Sequence, residues 1–325
     1  LLSAGTGAVF LYGGYRVIIG TTTLGTFIAF MAYQMRVMSP IQGLMGLYSN
    51  LATARASLVR VHELLDTPAE VTELPGSVLL QECEGALTLE RVHFGFGRGG
   101  DVLAGVDLEI PAGQVVAVVG ASGSGKSTIA DLLSRQLDPA EGRVLLDGHD
   151  LRSVTLQDVR RHVTVVEHAP FIFHATVGEN VRYARPDATV AEIDEAIAAA
   201  GLADLIAAMP EGTETVVGER GSQLSAGERQ RLAIARAFLA DPAVLVFDEA
   251  TGALDPASEA AVLAGYDQLM RGRTTVVITH RIDLARQADR VVVIADGKIA
   301  EDGPPSLLEA EGRAFRDVFV DLLPG

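Results

Sequence analysis

The sequence predicts a mainly parallel α/β domain that follows two apolar helices. Three observations lead to this prediction: long apolar stretches open the chain, strand-like and helix-like runs alternate from residue 87 onward, and charge is distributed unevenly. Residues 1–62 contain four arginines and no acidic residue, whereas the whole chain carries a formal charge of −16. A chain of 325 residues is long enough for about two domains. Composition therefore divides the sequence into two different parts.

Residues 1–66 are predicted to contain two transmembrane helices. The apolar stretches Leu1–Gly20 and Leu24–Leu47 are each long enough for a bilayer core, which needs about 20 apolar residues per helix. Arg55 and Arg60 follow the second stretch, and basic residues favour the cytoplasmic side. The chain opens without a methionine or a basic segment, so the first stretch is predicted to continue a longer protein and not to be a signal peptide.

Residues 67–84 are predicted to be a linker, and residues 85–325 the α/β domain. Alternation of strands and helices indicates a mainly parallel sheet covered on its faces. The single Cys83 cannot close an intrachain disulfide, which fits a reducing compartment. The excess of acidic residues argues against a duplex-binding protein. The predicted strands are Leu87–Phe94, Val115–Val119, Val163–Val166, Val244–Phe247, Thr274–Ile278 and Val291–Ile294.

The second predicted strand runs directly into a glycine-rich segment and then into a helix-like segment. This segment reads G-A-S-G-S-G-K-S-T and fits the G-x-x-x-x-G-K-S phosphate loop in its strand, loop and helix context. Backbone N–H groups of such a loop turn toward phosphates, and the helix N-terminus adds a favourable dipole. Lys126 is predicted to reach the β- and γ-phosphates and Ser127 to ligate Mg²⁺. The predicted nucleotide-binding residues are Gly120, Ser122, Gly123, Ser124, Gly125, Lys126, Ser127 and Thr128.

A second element of the predicted phosphate site follows the strand-like run that ends at Phe247. Two carboxylates, Asp248 and Glu249, come directly after this buried strand. Asp248 is placed to hold Mg²⁺, and Glu249 to polarise the attacking water.

A third segment, residues 224–231, reads L-S-A-G-E-R-Q-R. Ser225 and Glu228, three positions apart, predict a capping box that opens a helix. With this segment the sequence resembles the ATP-binding cassette (ABC) family over its whole length. The resemblance implies a P-loop NTPase fold with a helical subdomain, preceded by transmembrane helices. It also implies that Ser225 and Gly227 face ATP bound to an opposite domain, so that two cassettes enclose two nucleotides.

Smaller elements of the resemblance add further site residues. Phe96 takes the position of an aromatic ring that stacks on adenine, and His280 that of a histidine that contacts the γ-phosphate. Asp255 matches a loop that crosses to the partner cassette. The segment 215–221 is similar to one typical of exporters, where it meets the cytoplasmic ends of transmembrane helices.

One residue departs from the family pattern. His168 stands where the family usually has a glutamine that helps to ligate Mg²⁺ and to position the water. A neutral imidazole can accept a hydrogen bond or ligate a metal, but an imidazolium next to Mg²⁺ would be repelled. His168 is therefore predicted to be a catalytic and metal-site residue that slows hydrolysis, more so in mild acid.

The predicted function is that of an exporter subunit in the cell membrane, with residues 1–66 as the last two of six helices and the nucleotide-binding domain in the cytoplasm. It would bind ATP and Mg²⁺, hydrolyse ATP and move an unidentified substrate across the lipid bilayer. Its partner is a second half-transporter, identical or different, and nucleic acid is not expected. Two alternatives remain open: a weakly hydrolysing half of a heterodimer, and a soluble ABC ATPase without a transport function.

Overall fold

The computed structural model describes residues 2–67, 69–248 and 256–319. The chain divides into two compact units, Leu1–Ala69 and Glu70–Gly325. The first unit consists of the helices α1 (Leu2–Ile18) and α2 (Leu24–Leu65). The side chain of Thr23 caps α2 by accepting a hydrogen bond from the backbone N–H of Thr26.

The two transmembrane helices expected within residues 1–66 stay a prediction. Among the described residues, no helix combines the length and the apolar character needed to cross a membrane. α1 has 17 residues, and α2 has 42 residues with Pro40 inside the helix.

The second unit contains two sheets in its described part. The first is antiparallel, with the strand order β2-β1-β4-β5, and the second has the order β10-β9-β3-β8-β7-β6. In the second sheet, β9, β3, β8, β7 and β6 are parallel to their neighbours, and β10 is antiparallel to β9. The strands are β1 (Leu87–Phe94), β2 (Leu103–Ile110), β3 (Val115–Gly120), β4 (Glu141–Leu146), β5 (His149–Asp150), β6 (Val163–Glu167), β7 (Val244–Asp248), β8 (Thr274–Ile278), β9 (Arg290–Ala295) and β10 (Lys298–Gly303).

Each of the six predicted strands lies within one of these strands, but the expectation of one mainly parallel sheet is incomplete. The described chain also has β2, β4, β5 and β10, which the sequence patterns did not predict. The antiparallel sheet is built on short or irregular segments. β2 contains Gly105 with φ +77°, and its pairing with β1 shifts register, so its alternation of apolar and polar residues is broken.

Helices cover the parallel sheet and complete the core. One apolar cluster fills the space between the two sheets and includes Ile129, and a second packs the sheet against the helices from α5 to α9. A third cluster surrounds Phe315. The helices of this unit are α3 (Lys126–Leu133), α4 (Leu156–His162), α5 (Val177–Arg182), α6 (Val190–Ala199), α7 (Ala203–Ala207), α8 (Ala226–Ala240), α9 (Pro256–Met270), α10 (Ile282–Gln287), α11 (Pro305–Glu311) and α12 (Arg313–Val318).

The segment predicted as a linker, residues 67–84, is hydrogen-bonded to the second unit over much of its length. The backbone N–H of Val78 donates to the carbonyl of Ser153 at 2.7 Å, and the guanidinium of Arg135 donates to the carbonyl of Thr72 at 3.1 Å. Leu80 is buried. From residue 70 onward, these contacts make the segment part of the folded domain.

Asp147 connects the end of this segment to the antiparallel sheet. Asp147 and Gly148 have φ angles of +48° and +78° and form the two-residue turn between β4 and β5, the pattern of a type I′ hairpin. The carboxylate of Asp147 accepts hydrogen bonds from the backbone N–H groups of Glu84, Gly85 and Ala86 at 2.7–3.2 Å. One side chain thus holds the entry into β1.

Candidate functional site

The predicted site residues gather at one edge of the parallel sheet. β3, β8, β7 and β6 are neighbouring parallel strands, so their carboxyl ends meet at the same edge. Glu167 at the end of β6 pairs with Asp248 at the end of β7, and Asp248 pairs with Ile278. Residues after these strands therefore lie close to the phosphate loop that follows β3, which is where α/β sheets usually bind ligands.

Glycine is required at both ends of the phosphate loop. Gly120 ends β3, and a Cβ atom there would lie 2.3 Å from the carbonyl oxygen of Ile294. Gly125 precedes α3 with φ +103°, and its Cβ would lie 2.7 Å from Leu103 Cδ2. The loop can pass so close to its neighbours only because both side chains are absent.

Lys126 and Ser127 begin α3, and both side chains donate hydrogen bonds to oxygen atoms. Lys126 is buried, and its Nζ donates to the carbonyl oxygens of Gly120 and Ala121 at 2.9 Å each. The Ser127 hydroxyl donates to Asp248 Oδ1 at 3.3 Å. Hydroxyl and carboxylate oxygens suit Mg²⁺, which proteins hold by one or two such groups together with phosphates and water. The pair Ser127 and Asp248 therefore fits a Mg²⁺ site.

These side chains line a cleft with a volume of about 660 Å³, which is within the usual range for a small-molecule site. Nine predicted site residues line this cleft together: Phe96, Ser122, Gly123, Gly125, Lys126, Ser127, Thr128, His168 and Asp248. Phe96 is exposed and contacts Phe94 edge to face with a centroid distance of 5.0 Å. Its ring is available for stacking at the rim of the cleft.

The cleft also contains residues that the sequence patterns did not predict, among them Asp131, Gln136 and Glu167. Burial, followed by the negative charges of Asp248 and Glu167, raises the pKa of Asp131 above its usual value. Asp131 lies four residues after Ser127 on α3, and this spacing puts both side chains on one helix face. The helical spacing could have predicted this third carboxylate.

Ser124 is a residue of the phosphate loop that does not line the cleft. It lines a neighbouring cavity of about 670 Å³, together with Asp101, Asp296 and Asp317, and not the cleft described above. Its hydroxyl is buried and has no hydrogen-bond partner among the described residues. Ser122 and Gly123 line both cavities, whereas Ser124 lines only the neighbouring one.

The segment 224–231 begins α8 and has the predicted capping box. Ser225 Oγ accepts a hydrogen bond from the N–H of Glu228 at 3.2 Å, and Glu228 Oε2 accepts one from the N–H of Ser225 at 2.7 Å. A Cβ atom on Gly227 would lie 2.6 Å from Ser258 Cβ of α9, so glycine permits close packing of the two helices. Neither Ser225 nor Gly227 lines the cleft of its own chain.

His280 follows β8 and is exposed at the same edge of the sheet. The next residue, Arg281, forms an ion pair with Glu259 of α9, and its backbone N–H donates to Thr279 Oγ1 at 3.0 Å. These contacts hold the backbone on the carboxyl side of His280. The predicted site residues Glu249 and Asp255 lie outside the described residues.

Comparison with protein families identifies the domain that carries this site. Residues 103–252 match the family model described as ABC transporter. The match begins at the first residue of β2 and includes the phosphate loop, the segment 224–231 and Asp248. The family match therefore contains the central elements of the cleft.

Similar proteins extend the match to almost the whole chain. An ATP-dependent lipid A-core flippase of Syntrophus aciditrophicus is 38% identical over 96% of this chain and 52% of its own length. An ATM1-type heavy metal exporter of Novosphingobium aromaticivorans is 39% identical over 93% of this chain and 49% of its own length. The chain spans about half the length of these relatives.

A solved structure, that of a bacterial Atm1-family ABC exporter with ATP bound, matches with a TM-score of 0.75 and 37% identity. The match covers 93% of this chain and 53% of the other. Fold, site and similar proteins agree. The chain therefore belongs to the ABC transporter family and contains that family's ATP-binding domain.

Proposed function

We propose that this chain is the ATP-hydrolysing part of an ABC exporter, in which ATP binding and hydrolysis drive transport across a membrane. The observation that carries the proposal is the pairing of Ser127 with Asp248 beside Lys126 in one cleft. The relatives named above, a flippase and a heavy metal exporter, support transport as the purpose of this hydrolysis.

Each side chain of the cleft has a role in this proposal. Lys126 exchanges its two carbonyl acceptors for phosphate oxygens of ATP, and the backbone of the glycine-rich loop donates to the remaining oxygens. Phe96 stacks on the adenine ring. Ser127 and Asp248 hold Mg²⁺, which when bound neutralises charge on the phosphates.

The attacking water is activated by other residues of the proposed site. Glu249 follows Asp248 directly and acts as the general base. His280 donates a hydrogen bond to the γ-phosphate, and His168 helps to hold the water at the metal side. These three roles follow the family resemblance, and the position of His168 in the cleft supports its part.

A complete site requires a second cassette. Ser225 and Gly227 lie at the start of α8 and do not line the cleft of their own chain, so they are available to ATP bound by a partner. The family resemblance assigns Asp255 to contacts with the same partner. The partner is a second half-transporter, either a copy of this chain or a different one.

The proposed location is the cell membrane, with the second unit in the cytoplasm. No cargo is assigned, because the names of the relatives specify different ones. The flippase is named for lipid A-core and the exporter for heavy metal. A protein of Mesorhizobium japonicum, 41% identical over 91% of this chain and 50% of its own length, is named for export of a beta-(1-->2)glucan. A different cargo for each relative is expected when the ATP-binding domain is shared and the transport path is not.

One observation favours a second candidate function, a weakly hydrolysing half of a heterodimer. His168 lines the cleft together with Asp248, where an imidazolium would repel Mg²⁺. The two candidates predict different turnover when the protein is expressed alone.

ATP hydrolysis by the complete protein in lipid nanodiscs tests the proposal, with Glu249→Gln as the blank. Turnover above that blank means that two copies form a working site and that His168 is tolerated. ATP binding without turnover would overturn the proposal for the protein alone and favour the heterodimer, which co-expression with a candidate partner half would then test.

A further inference from the structure

Gln230 connects three elements from a buried position in α8. Its side chain is only 2% exposed, and its Nε2 donates to the carbonyl oxygen of Glu167 at 3.1 Å and to the Tyr266 hydroxyl at 2.7 Å. Tyr266 belongs to α9, is 5% exposed and packs against Phe247 of β7 with a ring-centroid distance of 4.3 Å. One amide group therefore joins α8 and α9 to the end of β6.

The hydrogen bond from Gln230 to the Glu167 carbonyl oxygen lies at the peptide unit directly before His168. The carbonyl of Glu167 and the N–H of His168 belong to one planar peptide unit, so holding the carbonyl fixes the plane from which the His168 backbone leaves β6. Glu167 is also paired with Asp248 in the parallel sheet. The direction of His168 toward the cleft therefore depends on the partner of this carbonyl.

The chemistry of the buried group requires a side chain that can donate twice. Burial raises the pKa of the Tyr266 hydroxyl above its usual value, so the phenol is neutral and accepts from the Gln230 amide. The carbonyl of Glu167 is also an acceptor. Glutamine supplies both N–H groups from one nitrogen, whereas leucine supplies none and glutamate is only an acceptor when ionised.

We propose that Gln230 is a positioning residue, which transmits the position of α8 to the peptide unit before His168. A displacement of α8, which Ser225 caps, then reaches the metal side of the cleft through the hydrogen bond from Gln230 to the carbonyl of Glu167. The expected effect on kcat rests on the proposed ATP hydrolysis, whereas the expected effect on the backbone near His168 does not. Its test therefore has one readout that requires turnover and one that does not.

The kinetic test compares Gln230→Leu with Tyr266→Phe in the complete protein in nanodiscs. Gln230→Leu removes both donors at similar volume, and we expect kcat to fall about 10- to 100-fold, as for other displaced catalytic groups, while KM for ATP stays unchanged. Tyr266→Phe is the matched control, because it removes one acceptor and leaves the bond from Gln230 to Glu167. Its kcat should stay much closer to wild type, and equal losses in both variants would overturn the proposal.

The structural test is amide hydrogen exchange of the same proteins, measured by mass spectrometry. In Gln230→Leu, we expect faster exchange in the peptide that contains residues 167–171 and unchanged exchange in the peptide that contains β3. Exchange that is unchanged everywhere, or faster throughout the domain, would overturn the proposal. If Gln230→Leu does not fold, Gln230→Met is measured instead, and failure of both assigns Gln230 to stability alone. An inactive wild type would contradict the proposed function, while hydrogen exchange would still decide the role of Gln230.

Discussion

The helices α3 and α8 differ at their N-termini: α8 has a side-chain cap, and α3 has none. α3 follows Gly125, which has no side chain that could cap the first N–H groups of this helix. α8 follows Ser225, whose hydroxyl and the Glu228 carboxylate form a complete capping box. The first helix start is built to bind an anion, and the second is stable without one. A helix N-terminus alone therefore does not identify a phosphate site. The presence or absence of a side-chain cap distinguishes the two helices.

The largest expected effect is at the α3 side of this comparison. Lys126→Met removes the buried ammonium group that donates to the loop carbonyls and that would face the phosphates. We expect loss of ATP hydrolysis by at least about 100-fold, the usual cost of removing one donor to a developing charge, and weaker binding of a fluorescent ATP analogue. Hydrolysis assays and equilibrium titration measure the two effects.

The only other lysine of the sequence provides the control for this variant. Lys298 lies exposed at the start of β10, and Lys298→Met removes the same charge without altering the cleft. Hydrolysis by Lys298→Met should match wild type. An equal loss in both variants would mean that net charge, and not the position of Lys126, causes the effect.

The second prediction tests whether the α8 side has a role beyond its own stability. Ser225→Ala removes the cap of α8 and should lower the free energy of unfolding by about 1 kcal/mol, measured by urea denaturation. If Ser225 also faces ATP bound by a partner, hydrolysis should fall as well. ATP binding by a single cassette should not change, since Ser225 does not line the cleft of its own chain.

A second capping box in the same unit gives the matched control. Thr189 and Glu192 form this box at the start of α6, and Thr189→Ala should lower stability by a similar amount, about 1 kcal/mol. Its hydrolysis should remain that of wild type. Equal loss of hydrolysis in Ser225→Ala and Thr189→Ala would mean that the start of α8 has no role except in folding.

Asp147 gives a third example of how backbone N–H groups are satisfied, beside the starts of α3 and α8. Its carboxylate accepts hydrogen bonds from three consecutive backbone N–H groups. Burial alone would raise its pKa, but hydrogen bonds from Cys83 and from the N–H groups of Gly85, Ala86 and Glu84 lower the pKa below its usual value. Because the folded-state pKa is lowered, this group stabilises the fold above its unfolded pKa, about 3.9, and the contribution disappears as pH falls through the folded value.

The corresponding variant is Asp147→Asn, which should lose about 1 kcal/mol of unfolding free energy at pH 7. The loss should shrink as the pH falls below about 4, because the wild-type carboxylate then becomes neutral too. Urea denaturation at several pH values measures this dependence. A difference between wild type and Asp147→Asn that does not change with pH would show that the charge of Asp147 has no part in its effect.

The sequence predicted the parts of the site that belong to a specific motif, because the combination of residue types in such a motif rarely serves another purpose. A glycine-rich loop with Lys126 and Ser127 between a strand and a helix specifies its own geometry. The pairing of Ser127 with Asp248 follows because β3 and β7, which β8 separates, have their carboxyl ends at the same edge of the sheet. Asp131 was missed because one acidic residue in a helix is usually solvated. Gln230 was missed because its partners, Glu167 and Tyr266, are 63 and 36 residues away along the chain.

The fold was predicted less completely where local patterns are weak. Parallel strands are buried on both faces and form continuous apolar runs, so β3, β7 and β8 are evident in the sequence. β4 and β10 carry exposed or half-buried polar residues, so neither forms a continuous apolar run in the sequence. The predicted linker, residues 67–84, contains Pro68 and Pro75, which suggest a linker. From residue 70 onward, hydrogen bonds with residues far along the chain, such as Ser153 and Asp147, attach it to the domain.

The smallest expected effect concerns the thiol of Cys83, which is hydrogen-bonded to the carboxylate of Asp147. Burial, together with the hydrogen bond to Asp147 and its negative charge, raises the pKa of Cys83 to about 12. Because the thiolate is the reactive form, Cys83 should react with a disulfide reagent at pH 8 far more slowly in the folded protein than in urea. Asp147→Asn removes the negative charge and should accelerate the reaction of the folded protein. Unchanged reactivity would mean that burial alone protects the thiol, and that the carboxylate serves only the backbone N–H groups of residues 84–86.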